Sequence, residues 1–233
     1  MGRLLIISNR LPFSIDRNGG ELLIRQSSGG LVSALKSYFE KSNDSFEEKI
    51  WIGSSDITKE EWERTSGSIK TEDFTVQPVF LEKDTYDKYY NGFSNSTLWP
   101  LFHYFPTLTS YNRDDFDAYI ECNRIFAQTT LELMQPGDVI WVHDYHLILL
   151  PQLIRIEAPE ATIGFFLHIP FPSYEMFRLL PTLWKKTLLQ GFLGADLIGF
   201  HTYDYVQHFI QSVKMVMEVD NEFNTITYNN RII

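Results

Sequence analysis

The sequence predicts an α/β domain: an open, mostly parallel sheet with helices on both faces. Two observations predict it. Short, almost wholly apolar runs alternate with longer stretches of helical period, and the apolar runs read as strands buried on both faces. Several of them end in polar side chains, as strands do where they open onto solvent or a ligand.

In chain order, "RLLIIS" (3–8) reads as the first strand, and "SIDRNGGELLIR" (14–25) as a hairpin around Asn18-Gly19-Gly20. "GGLVSALKSYFEK" (29–41) reads as a helix with Leu31, Leu35 and Tyr38 or Phe39 on one face. "KIWIG" (49–53) and "VQPVFL" (76–81) are the next strands. The strongest helical signal covers 113–135, where Phe116, Ile120, Ile125 or Phe126, Leu131 and Met134 fit the period and Pro136 stops it. Then come the strand "VIWVHD" (139–144), the helix "YHLILLPQLIRIE", and the strand "TIGFFLH" (162–168). A helical stretch from about 174 to 194, the strand "DLIGFH" (196–201) and the helix "TYDYVQHFIQSVKMVM" complete the alternation. "EFNTITYNNRII" reads as a last hairpin turning at Asn229-Asn230, and a chain ending on its second arm leads us to expect more protein beyond Ile233. There is no internal repeat and no obvious linker, so 1–233 reads as one domain.

With 233 residues, 44% of them hydrophobic, the chain can bury a substantial core. No apolar run reaches the roughly 18–20 residues of a membrane span, and no signal-peptide pattern opens the sequence. A single cysteine, Cys122, excludes an intrachain disulfide framework, and together these features favour a cytosolic protein. A net charge of −10 argues against generic nucleic-acid binding but not against a small anionic ligand.

Polar residues gather at strand ends: Asn9-Arg10, His143-Asp144, His168 and His201. In a parallel sheet these ends share one edge, where ligands bind, so Arg10, Asp144 and His168 would meet there, with His201 as a further candidate. Taken singly, each residue is better explained as a helix cap or a solvated loop residue; four together point to a ligand mouth. "SSGG" (27–30) is equally compatible with an ordinary cap and an anion site. The aromatic-rich "YYNGFSNSTLWPLFHYFP" (89–106) is mostly packing, yet Tyr90 and Trp99 among amides suit a pyranose. Arg178 reads as a surface cation. His143 and His146 point apart across the strand end, which disfavours a metal, and no G-x-S-x-G elbow supports a serine triad.

At these residues the chain resembles the N-terminal half of the trehalose-6-phosphate synthase family, retaining glycosyltransferases of family 20 with the two-domain GT-B fold. The resemblance covers essentially the whole chain. It rests on "SNRLP", "SSGGLVSAL", "YYNGFSNSTLWPLFHY", "VIWVHDYHLILLPQLIR", "GFFLHIPFPSYEMFRLLP" and "ADLIGFHTYDYVQHF". It implies a Rossmann-like, acceptor-binding N-terminal domain, with the nucleotide-sugar domain lying outside this chain. It implies transfer of glucose from UDP-glucose to glucose-6-phosphate, giving trehalose-6-phosphate and UDP, with no metal or other cofactor. Carried over residue by residue, Arg10 would hold the acceptor phosphate, and Tyr90 and Trp99 the acceptor sugar. Gly30 would approach the donor diphosphate, and Asp144 and His168, the catalytic candidates, would bind sugar hydroxyls near the reacting carbon. One departure is Ser54 in "WIGSSD", where the family pattern often has Trp. It keeps a glucosylglycerol-phosphate synthase-like acceptor in play. A non-catalytic, sugar-phosphate-binding regulatory subunit is the other class. The resemblance leaves self-association of the full-length protein open, and it implies that the isolated chain does not turn over.

Overall fold

A run of apolar residues makes a stable strand only where both its faces are covered. β1 (Leu4–Arg10) meets that condition, with every residue but Arg10 buried. The computed structural model describes residues 2–18, 21–26, 35, 46–65 and 74–233. The hairpin β2 (Phe13–Asn18) and β3 (Glu21–Gln26) follows, paired antiparallel as its sequence predicts, with Gly19 and Gly20 outside the described residues. β1 then lies at the centre of a six-stranded parallel sheet with β4 (Lys49–Ser54), β5 (Thr75–Val79), β6 (Val139–His143), β7 (Thr162–Phe166) and β8 (Leu197–Gly199). Their order is β5-β4-β1-β6-β7-β8. The chain builds outward from β1 to one edge, then restarts at β6 and builds to the other. The order therefore reverses between β1 and β6, and a crevice opens there beyond the carboxyl ends.

Each face of the sheet has its own core. Leu5, Ile7, Ile52, Val142 and Phe165 belong to the larger one, with most of the helices. Leu4, Ile6, Trp51 and Phe74 form the smaller one. Leu35, helical and buried in this second core, is the only described residue of the helix expected over 29–41; the rest of that expectation lies outside the described residues.

The helices are α1 (Lys59–Thr65), α2 (Lys83–Asp87), α3 (Trp99–Phe102), α4 (Arg113–Leu133), α5 (Leu150–Glu157), α6 (Tyr174–Phe177), α7 (Thr182–Phe192) and α8 (Tyr203–Met217). Asn112 caps α4 by accepting the Asp114 N–H at 2.9 Å. The buried face of α4 differs from the one its apolar spacing suggests. It comprises Phe116, Tyr119, Cys122, Asn123, Phe126 and Thr130, while Ile120, Ile125, Leu131 and Met134 are only partly buried. The physical reason is polar satisfaction. Tyr119 Oη donates to the Tyr145 carbonyl at 2.7 Å, and Asn123 Nδ2 donates to the His146 carbonyl at 3.0 Å. Two buried polar tips thus serve the loop after β6, which a purely apolar face could not do.

Two expected helices are shorter than predicted, each for a proline. The helix expected over 145–157 begins as a 3₁₀ turn at Tyr145–Leu147, and the α-helix starts only at Leu150, with Pro151 tolerated in its first turn. The stretch 174–194 divides into α6 and α7 at Pro181, which has no N–H to continue a helix and disfavours helical backbone at Leu180. The chain ends in a small antiparallel sheet of β9 (Asn221–Glu222), β10 (Thr225–Tyr228) and β11 (Arg231–Ile232). Asn229 and Asn230, at φ 50° and 61°, form the turn between β10 and β11. Arg231 fastens this unit to the domain, donating to Ala195 O and Asp196 Oδ1 at 2.7 Å each. Among the described residues no helix is long and apolar enough to cross a membrane.

Candidate functional site

The strand end of β1 is held open by close backbone packing. A Cβ at Gly53 would stand 2.6 Å from both the Arg10 carbonyl carbon and the Leu11 nitrogen, so only glycine lets β4 approach there. Next to it the buried Ser54 donates its hydroxyl to the Asn9 carbonyl at 2.6 Å. Arg10, exposed, projects from this junction. Its Nε donates to the Tyr86 hydroxyl at 3.0 Å, and its guanidinium carbon lies 4.6 Å from the Tyr90 ring centre.

Tyr90 comes from a segment the sequence did not foretell. Residues Lys88–Leu98 form a π-helix, closed where the Trp99 N–H bonds the Ser94 carbonyl five residues back. Such wide turns are rare and concentrate at functional sites. The Tyr90 ring has two near-parallel neighbours, Tyr86 at 9° and His146 at 11°, each 5.5 Å away between centres. With Arg10 also above the ring, the parts of Tyr90 left for a ligand are its edge and hydroxyl rather than a broad open face. Asn95, on the same segment, accepts the Tyr145 hydroxyl at 2.8 Å.

β6 delivers the second half of the site. Asp144 follows it directly at φ 74°, ψ 167°, a backbone region that normally only glycine occupies. Its Oδ1 accepts two backbone N–H groups, from Tyr145 at 2.9 Å and from His168 at 3.2 Å. Burial pushes the carboxyl up to about 6 against the pull of those two donors, so it is still mostly ionised at neutral pH. Its other oxygen can accept from a ligand hydroxyl.

His168 follows β7 and faces back. Its Nε2 lies 3.0 Å from His143 Nδ1, leaving Nδ1 as the outward nitrogen. Burial, then the nearby His201, lowers His168 to about 4, and burial, then His168, lowers His143 to about 3. Burial, then the Arg10 cation, does the same to His146, also to about 3. At neutral pH the site therefore combines neutral imidazoles, one carboxylate and one guanidinium. Among the described residues no three or more His, Cys, Asp or Glu side chains are grouped to hold a metal ion.

Of the residues singled out from sequence, Arg10 and Tyr90 touch, and Asp144 and His168 touch. The pairs are joined through the Asp144-Tyr145-His146 loop, because His146 stacks on Tyr90. His201 stands at the margin, its ring 5.8 Å from that of His168. Trp99 is 42% exposed and stacks on His103 at 4.2 Å, with no ring contact to Arg10, Tyr90, Asp144 or His168. Gly30 lies outside the described residues. Arg178 is exposed and pairs with Glu175 at 3.4 Å. Sequence reasoning missed Tyr86 and the stacking role of His146. The signal for Tyr86 was its place four residues before Tyr90, the spacing at which helical side chains meet.

The family described as glycosyltransferase family 20 matches residues 2–233. A UDP-forming alpha,alpha-trehalose-phosphate synthase A from Dictyostelium discoideum is 43% identical over 234 residues, covering 100% of this chain and 31% of its own length. Among solved structures, the N-terminal domain of a trehalose-6-phosphate phosphatase from Candida albicans superposes with a TM-score of 0.82 at 31% identity, covering 100% of this chain and 47% of that one. A UDP-forming alpha,alpha-trehalose-phosphate synthase from Burkholderia xenovorans in complex with glucose-6-phosphate gives 0.80 at 32% identity, covering 100% and 48%. The chain thus spans about half the length of these solved chains and less of the Dictyostelium protein.

Proposed function

The chain belongs to glycosyltransferase family 20, and from that premise we propose that it is the acceptor-binding half of a UDP-forming trehalose-6-phosphate synthase. In this reading Arg10 holds the phosphate of glucose-6-phosphate, with Tyr90 and Trp99 beside the acceptor sugar. Asp144 and His168 bind sugar hydroxyls near the reacting carbon, and Gly30 approaches the donor diphosphate. The observation that carries the reading is the pairing of a cationic end, Arg10 on Tyr90, with a hydroxyl-binding end, Asp144 tied to His168, across the β1/β6 crevice. A sugar phosphate has that polarity: an anion at one end and a rim of hydroxyls at the other.

The chemistry asked of these residues is placement. Asp144, with one oxygen committed to two N–H donors, presents the other in a fixed direction, and the neutral His168 offers its outer nitrogen. Both hold hydroxyls so that the acceptor oxygen meets the anomeric carbon, and fixed geometry of this kind lowers a barrier without a covalent step. Stabilising the departing UDP is left to the part of the protein beyond this chain. Both substrates are anions that membranes exclude, which supports a cytoplasmic location.

UDP release with UDP-glucose and glucose-6-phosphate tests the reading. The full-length protein is expected to turn over, and the 233-residue chain alone is not. Silence from the full-length protein, or robust turnover by the isolated chain, overturns it. A second reading, a sugar-phosphate-binding regulatory subunit, draws on the likeness to a domain of a protein named as a phosphatase. It predicts glucose-6-phosphate binding without UDP release by the full-length protein. Arg10, Tyr90, Asp144 and His168 all being in place favours the first. A glucosylglycerol-phosphate synthase-like acceptor, kept open by Ser54, would appear in the same assay as preference for glycerol-3-phosphate.

A further inference from the structure

The Tyr86 hydroxyl is faced by two donors. Arg10 Nε–H donates to it at 3.0 Å, and Asn9 Nδ2 lies 3.5 Å away. The orientation of that amide is fixed from its other end, because Asn9 Oδ1 accepts the buried Tyr89 hydroxyl at 2.9 Å. A phenol has one proton and acceptor capacity on the same oxygen. Turned towards two N–H groups, the oxygen serves as acceptor and its own proton must point elsewhere. Among the described residues none accepts that proton.

Arg10 is constrained by the same contact. With Nε committed to Tyr86 and the guanidinium over Tyr90, the two terminal nitrogens of this exposed side chain are left as a fork. That is the arrangement in which a guanidinium grips an anion with two parallel bonds. The Tyr86 proton and the Arg10 terminal nitrogens are therefore neighbouring donors at the carboxyl end of β1, and among the described residues neither donates a hydrogen bond to the protein.

We propose that Tyr86 is a further binding residue for the acceptor: it aims Arg10 through Nε and donates its own hydroxyl proton to the same phosphate. The proposal rests on the reading of Arg10 as the phosphate ligand. It makes the anion site of this chain a three-donor set, two from Arg10 and one from Tyr86, with Asn9 and Tyr89 as the support that orients the third. It also favours an anion over a neutral group, since two of the three donors belong to one guanidinium.

The test is steady-state kinetics on the full-length protein with Tyr86→Phe, which keeps the ring stacked on Tyr90 and removes only the hydroxyl. A hydrogen bond to a charged group gives about a tenfold rise in the KM for glucose-6-phosphate. The KM for UDP-glucose is expected to change at least fivefold less than that. Inorganic phosphate, as a competitor of the acceptor, is expected to weaken by the same factor as glucose-6-phosphate. An acceptor KM and a phosphate inhibition constant both within twofold of wild type overturn the proposal. So does a loss shared equally by acceptor and donor, the mark of general damage. Arg10→Ala separates the two levels. If it leaves glucose-6-phosphate kinetics unchanged, the underlying reading falls. If it impairs them while Tyr86→Phe does not, the Tyr86 role alone falls.

Discussion

The Asp144 carboxylate accepts the backbone N–H of His168 at 3.2 Å, so the end of β6 and the loop after β7 are joined by the residue at the centre of the site. Asp144 holds that bond while sitting at φ 74°, where a side chain is strained. Binding geometry and backbone strain thus meet at one position, and substitution there separates them. Asp144→Ala loses the two N–H bonds and keeps the strain; Asp144→Gly loses the same bonds and relieves it. Urea denaturation should find the glycine variant more stable than the alanine variant by about 1–3 kcal/mol. Equal stability, or alanine the more stable, would mean the strain is absent.

Asp144→Asn keeps an oxygen for the Tyr145 and His168 N–H groups but removes the charge. It should fold like wild type and lose about a hundredfold or more in kcat/KM in the full-length protein, the scale for losing one preorganised polar contact to the reacting sugar. Activity within fivefold of wild type would remove Asp144 from the reaction.

The same carboxyl and its histidine neighbours set a pH response. His143 and His146, at about 3 in the native state, and His168, at about 4, all return towards 6.5 on unfolding, so unfolding takes up protons below about 6.5. Their contribution to stability is full above 6.5 and is lost as pH falls. Asp144 works the other way: raised to about 6 in the fold, it releases its proton on unfolding between about 4 and 6, which favours the fold on acidification. Three groups against one leave a net uptake of roughly two protons in that window. The urea midpoint should therefore fall between pH 7 and pH 5. A midpoint that holds or rises would contradict the buried, neutral state of these histidines.

Gly53→Ala tests the link between packing and site. The added methyl meets backbone of Arg10 and Leu11 at 2.6 Å, atoms that cannot rotate away. Overpacking of this kind costs about 1–3 kcal/mol, and the displacement falls on Arg10 itself. The variant should lose thermal stability and acceptor affinity together. Normal acceptor KM in a destabilised variant would show that Arg10 does not depend on this junction.

Trp99 offers the converse. Its exposed ring stacks on His103 and carries little of the core. Trp99→Ala should change stability by less than about 1 kcal/mol and raise the acceptor KM about tenfold, the worth of one packed ring. An unchanged KM would exclude Trp99 from the acceptor site.

Much of this arrangement was legible in the sequence because parallel strands obey a simple rule. Arg10, Asp144 and His168 each end an apolar run, and strands that run the same way end on the same edge. The two asparagines of the last turn announce their positive φ in the same direct way. What was not legible depends on contacts distant in sequence. Tyr119 and Asn123 turn α4 away from its apolar stripe because they serve carbonyls of the loop after β6, and nothing local to 113–135 states that. The π-helix at Lys88–Leu98 falls between the periods used to recognise helices and strands. Tyr86 gains its meaning only from Arg10 and Asn9, more than seventy residues earlier. Pro151 and Pro181, by contrast, were visible and their breaks could have been drawn.

The most direct measurement is a calorimetric titration of this chain with glucose-6-phosphate, wild type beside Arg10→Ala. Saturable heat from the wild type, abolished or greatly reduced by the substitution, is the predicted result. Equal heats from the two proteins would contradict the claim that the β1/β6 edge receives a sugar phosphate through Arg10.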